Sequence, residues 1–237
     1  MEYVLALPPP TNEAFLREVN EELRRDQAAQ FWTRYGRWLI VAVLGGLALF
    51  AGVLFWQNRQ QELAGEQGRL LTLALEKLGA GDEKSATPTL SDLSISGVSG
   101  YRVTAKFVEA DILLQKNDLK GAAAKFAEVV NDTSVGQPFR DLALIRQTSA
   151  EYDTLKPETV IARLKPFAIK DNAWFGSAGE MVAVAQLRLK ETAAAGRLFA
   201  DIAAEQSVPE SIRQRAVQMA GTLGVDAVRQ NEEKKAR

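Results

Sequence analysis

Hydrophobic residues form two patterns in this chain: one continuous run near the N-terminus, and helical spacing through most of the remaining sequence. The run reads WLIVAVLGGLALFAGVLFW from Trp38 to Trp56 and holds nineteen residues without a charge. As a helix it would be about 28 Å long, close to the hydrocarbon thickness of a bilayer. A single segment can pair all its backbone groups in lipid only as a helix. The run therefore predicts a transmembrane helix at 38–56. The alternative is a buried core helix, but core helices are rarely apolar on every face over this length.

The residues that flank the run are those typical of a membrane interface. Trp38 and Trp56 stand at its two ends, and Arg34 and Arg37 directly precede it. The twenty residues before the run contain four arginines, and the twenty after it contain two. This bias predicts an N-terminus in the cytoplasm and a C-terminal part across the membrane. A cleaved signal peptide would carry a shorter apolar stretch nearer the N-terminus, so an uncleaved anchor is the better interpretation.

Small residues recur at a spacing of four within the run. Ala42 and Gly46 form one such pair, and Ala48 and Gly52 form another. Pairs of this kind allow a second helix to approach closely, although ordinary anchors also contain them. They are candidate helix–helix contacts in the membrane.

The first 37 residues predict a cytoplasmic arm with a short amphipathic helix. The arm holds five arginines and six acidic residues, and Pro8–Pro10 are followed by Thr11 or Asn12 as a helix cap. Apolar residues then recur at helical spacing, at Phe15, Leu16, Val19 and Leu23. The helix would lie on the membrane, meet a partner helix, or simply be solvated.

Residues 57–100 predict a helical extension followed by a flexible linker. An apolar helical stripe runs from Leu70 to Leu78 and ends at Gly79 and Gly81. The next residues, 82–100, read DEKSATPTLSDLSISGVSG, and their Ser, Thr, Gly and Pro content is typical of a loop.

Residues 101–224 show helical periodicity throughout, with no convincing strand pattern. Seven amphipathic segments alternate with turns, and a charged tail follows at 225–237. The predicted fold class is therefore all-α, with one N-terminal transmembrane helix before a helical domain.

A shift of 73 residues superimposes two parts of this region. Small and large apolar positions coincide, as do the turn residue Asp118 and its counterpart Glu191. The shift matches two tetratricopeptide repeats and leaves room for a degenerate helix pair at about 138–168. We therefore expect an α-solenoid of three to four helix pairs rather than a generic helical bundle. The packing signature consists of Ala110, Leu114, Asp118, Ala122 and Phe126 in one unit and Ala183, Leu187, Ala195, Phe199 and Ile202 in the other.

The composition argues against most kinds of catalytic, metal-binding and phosphate-binding site. The chain has no histidine and no cysteine, which removes the commonest general base, the usual zinc ligands and the thiol nucleophile. No glycine-rich phosphate loop opens a helix. Residues 57–237 balance 24 basic against 24 acidic side chains, which is unlike a nucleic-acid binder. We expect no catalytic, cofactor or metal site, no nucleic-acid partner and no small-molecule substrate.

The arrangement of anchor and repeats resembles a bacterial family, the YfgM-like single-span tetratricopeptide proteins. The segment YRVTAKFVEADILLQKNDLKGAAAKF is similar to the family's first well-formed helix pair, and NAWFGSAGEMVAVAQLRLKETAAAGRLF is similar to its last. The resemblance implies a single-pass protein of the bacterial inner membrane with a periplasmic repeat domain. It also implies proteins as partners: translocon subunits, periplasmic chaperones or nascent chains. A related domain name covers a cell-division coordinator.

Three functions remain as hypotheses. The first is a membrane-tethered binding module whose repeats form a concave surface for proteins. The second is an enzyme, for which no converging functional groups stand out. The third is a self-associating scaffold, or a cell-envelope or division adaptor without translocon contact. Oligomeric state distinguishes the scaffold from the binding module, since a scaffold should be oligomeric without any partner.

Overall fold

The computed structural model describes residues 12–226, and within them the chain forms nine α-helices and no strand. It divides into two compact units, Met1–Leu63 and Ala64–Arg237. The helices are α1 (Asn12–Gly79), α2 (Glu83–Ser94), α3 (Ser99–Gln115), α4 (Leu119–Asn131), α5 (Gln137–Ala150), α6 (Pro157–Leu164), α7 (Phe175–Arg188), α8 (Thr192–Ala204) and α9 (Glu210–Thr222).

The described part of the first unit is a single helix. α1 begins at Asn12 and continues through the apolar run, so the helix predicted for the arm is the first part of a longer helix. No proline follows Pro10 before the run ends, and glycines inside a helix cost only about 1 kcal/mol each, so nothing in the sequence stops the helix. Thr11, the proposed cap, and most apolar side chains of the arm lie outside the described residues.

The second unit begins with the C-terminal part of α1, which packs against α2. Buried Leu90 and Leu93 of α2 contact buried Ala74 of α1. The Asp82 carboxylate caps α2 by accepting a hydrogen bond from the backbone N–H of Ser85 at 3.2 Å. The flexible linker predicted at 82–100 is therefore wrong for 83–94. Its Ser and Thr content suggested a loop, but burial of one leucine-bearing face outweighs weak local propensity.

Helices of the second unit form four consecutive pairs: the end of α1 with α2, α3 with α4, α5 with α6, and α7 with α8, after which α9 closes the array. The second helices begin at residues 83, 119, 157 and 192, so the repeats are spaced by 36, 38 and 35 residues. The predicted degenerate pair is present as α5 and α6. The repeats start within α1, before the predicted boundary at residue 101.

Equivalent positions in the four pairs are occupied by buried side chains. Each first helix has a small residue with no exposed surface where it faces its partner: Ala74, Ala110, Thr148 and Ala183. Each second helix has a larger, fully buried side chain in its third turn: Leu90, Phe126, Leu164 and Phe199. Thr148 fits this series because its hydroxyl donates to the Leu144 carbonyl in its own helix at 2.8 Å.

Three of the pairs are joined by the same tight turn. Gly81, Asn117 and Lys190 adopt positive φ values of 78°, 60° and 63°. In each turn, the next backbone N–H bonds to a carbonyl five residues earlier, at 2.8–2.9 Å. This is a Schellman motif, which ends one helix and starts the next within two residues. Glycine adopts a positive φ without strain, so Gly81 in the sequence indicates the turn between the two helices of the first repeat.

The repeat array curves with its first helices on the inside. Among the described helices, α3 contacts α5, α5 contacts α7, and α7 contacts α9. Successive second helices, such as α4 and α6, do not come into contact. Because the first helices lie closer together, their shared surface is the concave face of the array.

Candidate functional site

The predicted packing signature forms two separate cores, one in each well-formed pair. Ala110, Ala122 and Phe126 contact one another, and partly buried Leu114 packs beside them. The Asp118 carboxylate caps α4 by accepting from the Gly121 N–H at 2.8 Å. The second core contains Ala183, Ala195, Phe199 and Ile202, with partly buried Leu187 packed against it. These residues hold helices together, and the surface that can meet a partner lies elsewhere.

The concave face is built from side chains that bridge successive first helices. Arg146 of α5 pairs with Asp111 of α3 and lies over the Phe126 ring, 4.8 Å from its centroid. Arg215 of α9 pairs with Glu180 of α7 through hydrogen bonds of 2.7 and 2.9 Å. The hydrogen bond to Glu180 raises the pKa of Arg215. The interfaces α3–α5 and α7–α9 are thus each closed by one bidentate ion pair.

Between the first two repeats, this face opens into a cleft of about 370 Å³. The cleft is lined by both apolar and polar residues, with the C-terminal part of α1 on one side and α3 on the other. Leu75, at its edge, is 44% exposed. Its lining residues are Leu75, Leu78, Gly81, Glu83, Val108, Asp111, Ile112 and Gln115.

The carboxylates at the rim of the cleft already have partners. Glu83 pairs with Lys116 at 2.5 Å, and Asp111 pairs with Arg146. The surface of the cleft is about equally polar and apolar. We did not predict this cleft from sequence, because treating 82–100 as a linker left Gly81 and Glu83 without a place in a repeat. The Gly81-Asp82 pair, 36 residues before Asn117-Asp118, was the signal that could have revealed it.

Charged residues at two normally apolar positions of α3 are explained by contacts with α4. Lys106 pairs with Glu128 at 2.9 Å, and Glu109 pairs with Lys125 at 2.9 Å. The Lys106 and Glu109 side chains are only 14% and 12% exposed, and the hydrogen bond to Glu109 raises the pKa of Lys125. The four charges neutralise one another between the helices, which is a packing arrangement and not an acid–base pair.

Arg102, near the start of α3, connects the α2–α3 loop to the α4–α5 loop through hydrogen bonds. It donates to the Asp132 carboxylate at 2.9 Å, to the Ser134 hydroxyl at 2.6 Å and to the Ser96 carbonyl at 2.5 Å. The Ser134 hydroxyl and the Arg102 guanidinium both lower the pKa of Asp132. This network joins the α2–α3 loop to the α4–α5 loop and so sets the position of the second repeat.

The proposed membrane-interface residues lie on α1 with exposed side chains. Trp38 and Trp56 are exposed at the ends of the apolar run, and Arg34 and Arg37 are exposed just before it. The Arg34 guanidinium lies 5.9 Å from the centre of the Tyr35 ring. The segment Trp32–Gly79 contains an 18-residue window of mean hydropathy 2.5, none of it buried. By length and composition this helix could cross a membrane.

The two small-residue pairs lie on different sides of α1. Six residues separate Ala42 from Ala48, which places the second pair about 120° around the helix from the first. A Cβ atom on Gly46 or Gly52 would meet nothing within 4 Å. Each pair therefore leaves the backbone of α1 accessible to a second helix. A role of these pairs in helix–helix contact stays a prediction.

The described residues offer no cluster that could serve as a metal centre. Within 12–226, no group of three or more acidic side chains is placed to hold an ion.

Comparison with known protein families agrees with the repeat geometry. The family model of the tetratricopeptide repeat-like domain matches residues 29–219. The chain belongs to this family. The matched range includes the apolar run and the whole of α2. No curated protein and no solved structure matches the chain. Domains of this type mediate protein–protein interactions, which directs attention to the concave face.

Proposed function

We propose that the protein is a membrane-anchored interaction module that holds partner proteins on the concave face of its repeats. The observation that carries this proposal is the cleft between α1 and α3, which combines apolar and polar lining residues and opens on that face. Its volume of about 370 Å³ exceeds that of a single leucine or phenylalanine side chain. Since the Glu83 and Asp111 carboxylates are already paired, a partner would meet the apolar side chains of the lining together with neutral polar groups such as the Gln115 amide.

Membrane anchoring is the second part of the proposal. It is supported by the uncharged run at 38–56, by the exposure of its side chains in α1, and by the flanking tryptophans and arginines. An exposed apolar helix of this length would aggregate in water unless lipid or protein covered it. The arginine bias favours a cytoplasmic N-terminus and a repeat domain on the periplasmic side of a bacterial inner membrane.

The proposed biological role is that of an ancillary subunit near the Sec translocon, in contact with chaperones or emerging chains. It is supported by the resemblance to YfgM-like proteins and by the single anchor, which would raise the local concentration of the repeats at the membrane. The role requires binding without catalysis.

A pull-down tests the role. The tagged full-length protein in mild detergent is compared with a form that begins at Gln57. We expect translocon subunits to be recovered with the full-length protein and lost with the shortened form. Recovery of chaperones or division proteins alone, equally with both forms, would reject the translocon role and leave a free-standing adaptor. Stable oligomers of the purified full-length protein without a partner would favour the scaffold hypothesis.

Matched substitutions test the cleft. Leu75→Asp places a charge at the edge of the cleft, where the side chain is 44% exposed and little packing is lost. Ile95→Asp is the control, because Ile95 is 81% exposed and follows the opposite end of α2. We expect Leu75→Asp to lower partner recovery about tenfold and Ile95→Asp to leave it unchanged. Equal recovery with both variants would show that the partner does not use the cleft.

A further inference from the structure

The α5–α6 pair differs from the neighbouring pairs in how its two helices are held together. α6 has eight residues, whereas α4 and α8 have thirteen each, so it is about 8 Å shorter. Pro157 begins α6, and Pro166 follows its last residue closely, which prevents a longer helix. α5 and α6 contact each other far less extensively than α3 and α4 or α7 and α8 do.

α5 contributes buried side chains to two different cores, one on each side of it. Ala143 of α5 packs with Val103 and Val129 of the preceding pair. Two residues later, Ile145 packs with Val160 of α6 and with residues of α7. We name the helices from the end of α1 to α5 the N-terminal block, and α6 to α9 the C-terminal block. Within each block, adjacent helices share an extensive apolar core.

The two blocks meet through the core around Ile145, through the Arg163–Glu151 ion pair at 2.5 Å, and through polar contacts around Tyr152. The Tyr152 hydroxyl donates to the Met181 carbonyl of α7 at 3.0 Å. In the opposite direction, Arg188 of α7 donates to the Tyr152 and Leu155 carbonyls at 3.1 and 3.2 Å. The Arg188 guanidinium also lies 5.7 Å from the centre of the Tyr152 ring. These contacts satisfy carbonyls in the turn that follows α5, and we call them the Tyr152–Arg188 latch.

We propose that the α5–α6 junction is a hinge and that the Tyr152–Arg188 latch holds the two blocks at one angle. In an array where each element contacts only its neighbours, bending concentrates where the shared apolar core is smallest. Directional hydrogen bonds at the edge of such a junction fix an angle that the packing leaves adjustable. Bending there changes the distance between the α3–α5 and α7–α9 parts of the concave face. The hinge is a property of the repeats and does not depend on the identity of any partner.

Distance measurements between spin labels test this proposal on the full-length protein in detergent. The chain contains no cysteine, so two introduced cysteines carry the only labels. Ala124→Cys on α4 with Arg197→Cys on α8 reports on the distance across the hinge, since both positions are exposed. Asp92→Cys on α2 with Ala124→Cys reports on the N-terminal block alone. Arg197→Cys with Gln218→Cys on α9 does so for the C-terminal block.

The latch is then weakened in two ways. Arg188→Gln removes the guanidinium, and Tyr152→Phe removes only the hydroxyl, which keeps the ring in place. Lys120→Gln removes a charge from the exposed start of α4 and serves as the control. We expect the distance distribution across the hinge to broaden about twofold with Arg188→Gln and by less with Tyr152→Phe. The distributions within the blocks should keep their widths.

Two outcomes would overturn the hinge. If the distribution across the junction keeps its width in both latch variants, the packing alone fixes the angle. If the distributions within the blocks broaden as much as the one across the junction, the variants loosen the whole array and the junction is not special.

Discussion

Truncation of Leu90 to alanine should destabilise the repeat domain strongly. Leu90 lies in α2, in the segment whose composition suggested a linker, and its side chain has no exposed surface. It packs against Ala74 and the partly buried leucines of α1. A side chain that holds the first helix pair together should be costly to shorten, whereas a linker residue should not.

The expected loss in the free energy of unfolding depends on the atoms that the substitution removes. Three buried carbons are lost, each worth about 0.8 kcal/mol, which gives about 2.4 kcal/mol. An unfilled cavity adds about 24 cal/mol per Å³ of residual volume, so partial collapse leaves roughly another 1 kcal/mol. We expect a loss of about 3 kcal/mol in the free energy of unfolding of this helix pair. Ile95→Ala, at an exposed position, should cost less than about 0.5 kcal/mol.

Hydrogen exchange read by mass spectrometry is the suitable assay, because repeat proteins need not unfold in one step. A loss of about 3 kcal/mol should speed exchange in peptides covering 83–94 by about a hundredfold. Urea unfolding followed by circular dichroism gives a second, global readout. Exchange that is equally fast in the parent, Leu90→Ala and Ile95→Ala would refute the assignment of α2 as a packed repeat helix.

Two further predictions concern packing and pH. A Cβ atom on Gly179 of α7 would lie 3.0 Å from the Ile202 side chain, so Gly179→Ala should lower the free energy of unfolding by about 1–3 kcal/mol. Gly221→Ala, where a Cβ meets nothing within 4 Å, should instead stabilise α9 by about 0.5–1 kcal/mol. Thermal unfolding of both variants checks these two predictions, and equal shifts of the two unfolding midpoints would contradict them. Because the pKa of folded Asp132 is lowered, its contribution is present above the unfolded value of about 3.9 and is lost as the pH falls below it. Urea midpoints measured from pH 6 to pH 3 should therefore fall less steeply in Asp132→Asn than in the parent. Parallel curves would exclude the Asp132 carboxylate, with its hydrogen bonds from Ser134 and Arg102, as a source of acid sensitivity.

Spacing alone was sufficient to locate the regular repeats. The helices at 101–224 lie where apolar residues recur at helical intervals, and the 73-residue shift pairs residues that lie in two separate cores. Small residues are needed where helices approach closely, and a large one is needed to fill the gap between them. The sequence must therefore carry that pattern wherever a pair is well formed.

The first repeat could not be recognised by the same reasoning. Its first helix is the end of the 68-residue helix α1, so no break in the sequence marks where the repeat begins. Its second helix, α2, contains Pro88 and several Ser and Thr residues, which are typical of loops. Burial of Leu90 and Leu93 against α1 and α3 stabilises this segment as a helix. Such burial depends on other helices and not on the local sequence pattern.

For this protein, the sequence by itself determined the elements that depend on local chemistry. These are the uncharged run long enough to cross a membrane, the helical periodicity, the repeat spacing, and the lack of histidine and cysteine. Tertiary structure decided where the array starts, that a cleft opens between α1 and α3, and that the blocks meet at the Tyr152–Arg188 latch. Those features arise from contacts between residues about 16 to 36 positions apart. Local propensity does not encode such contacts, because they form only when packed helices bring the side chains together.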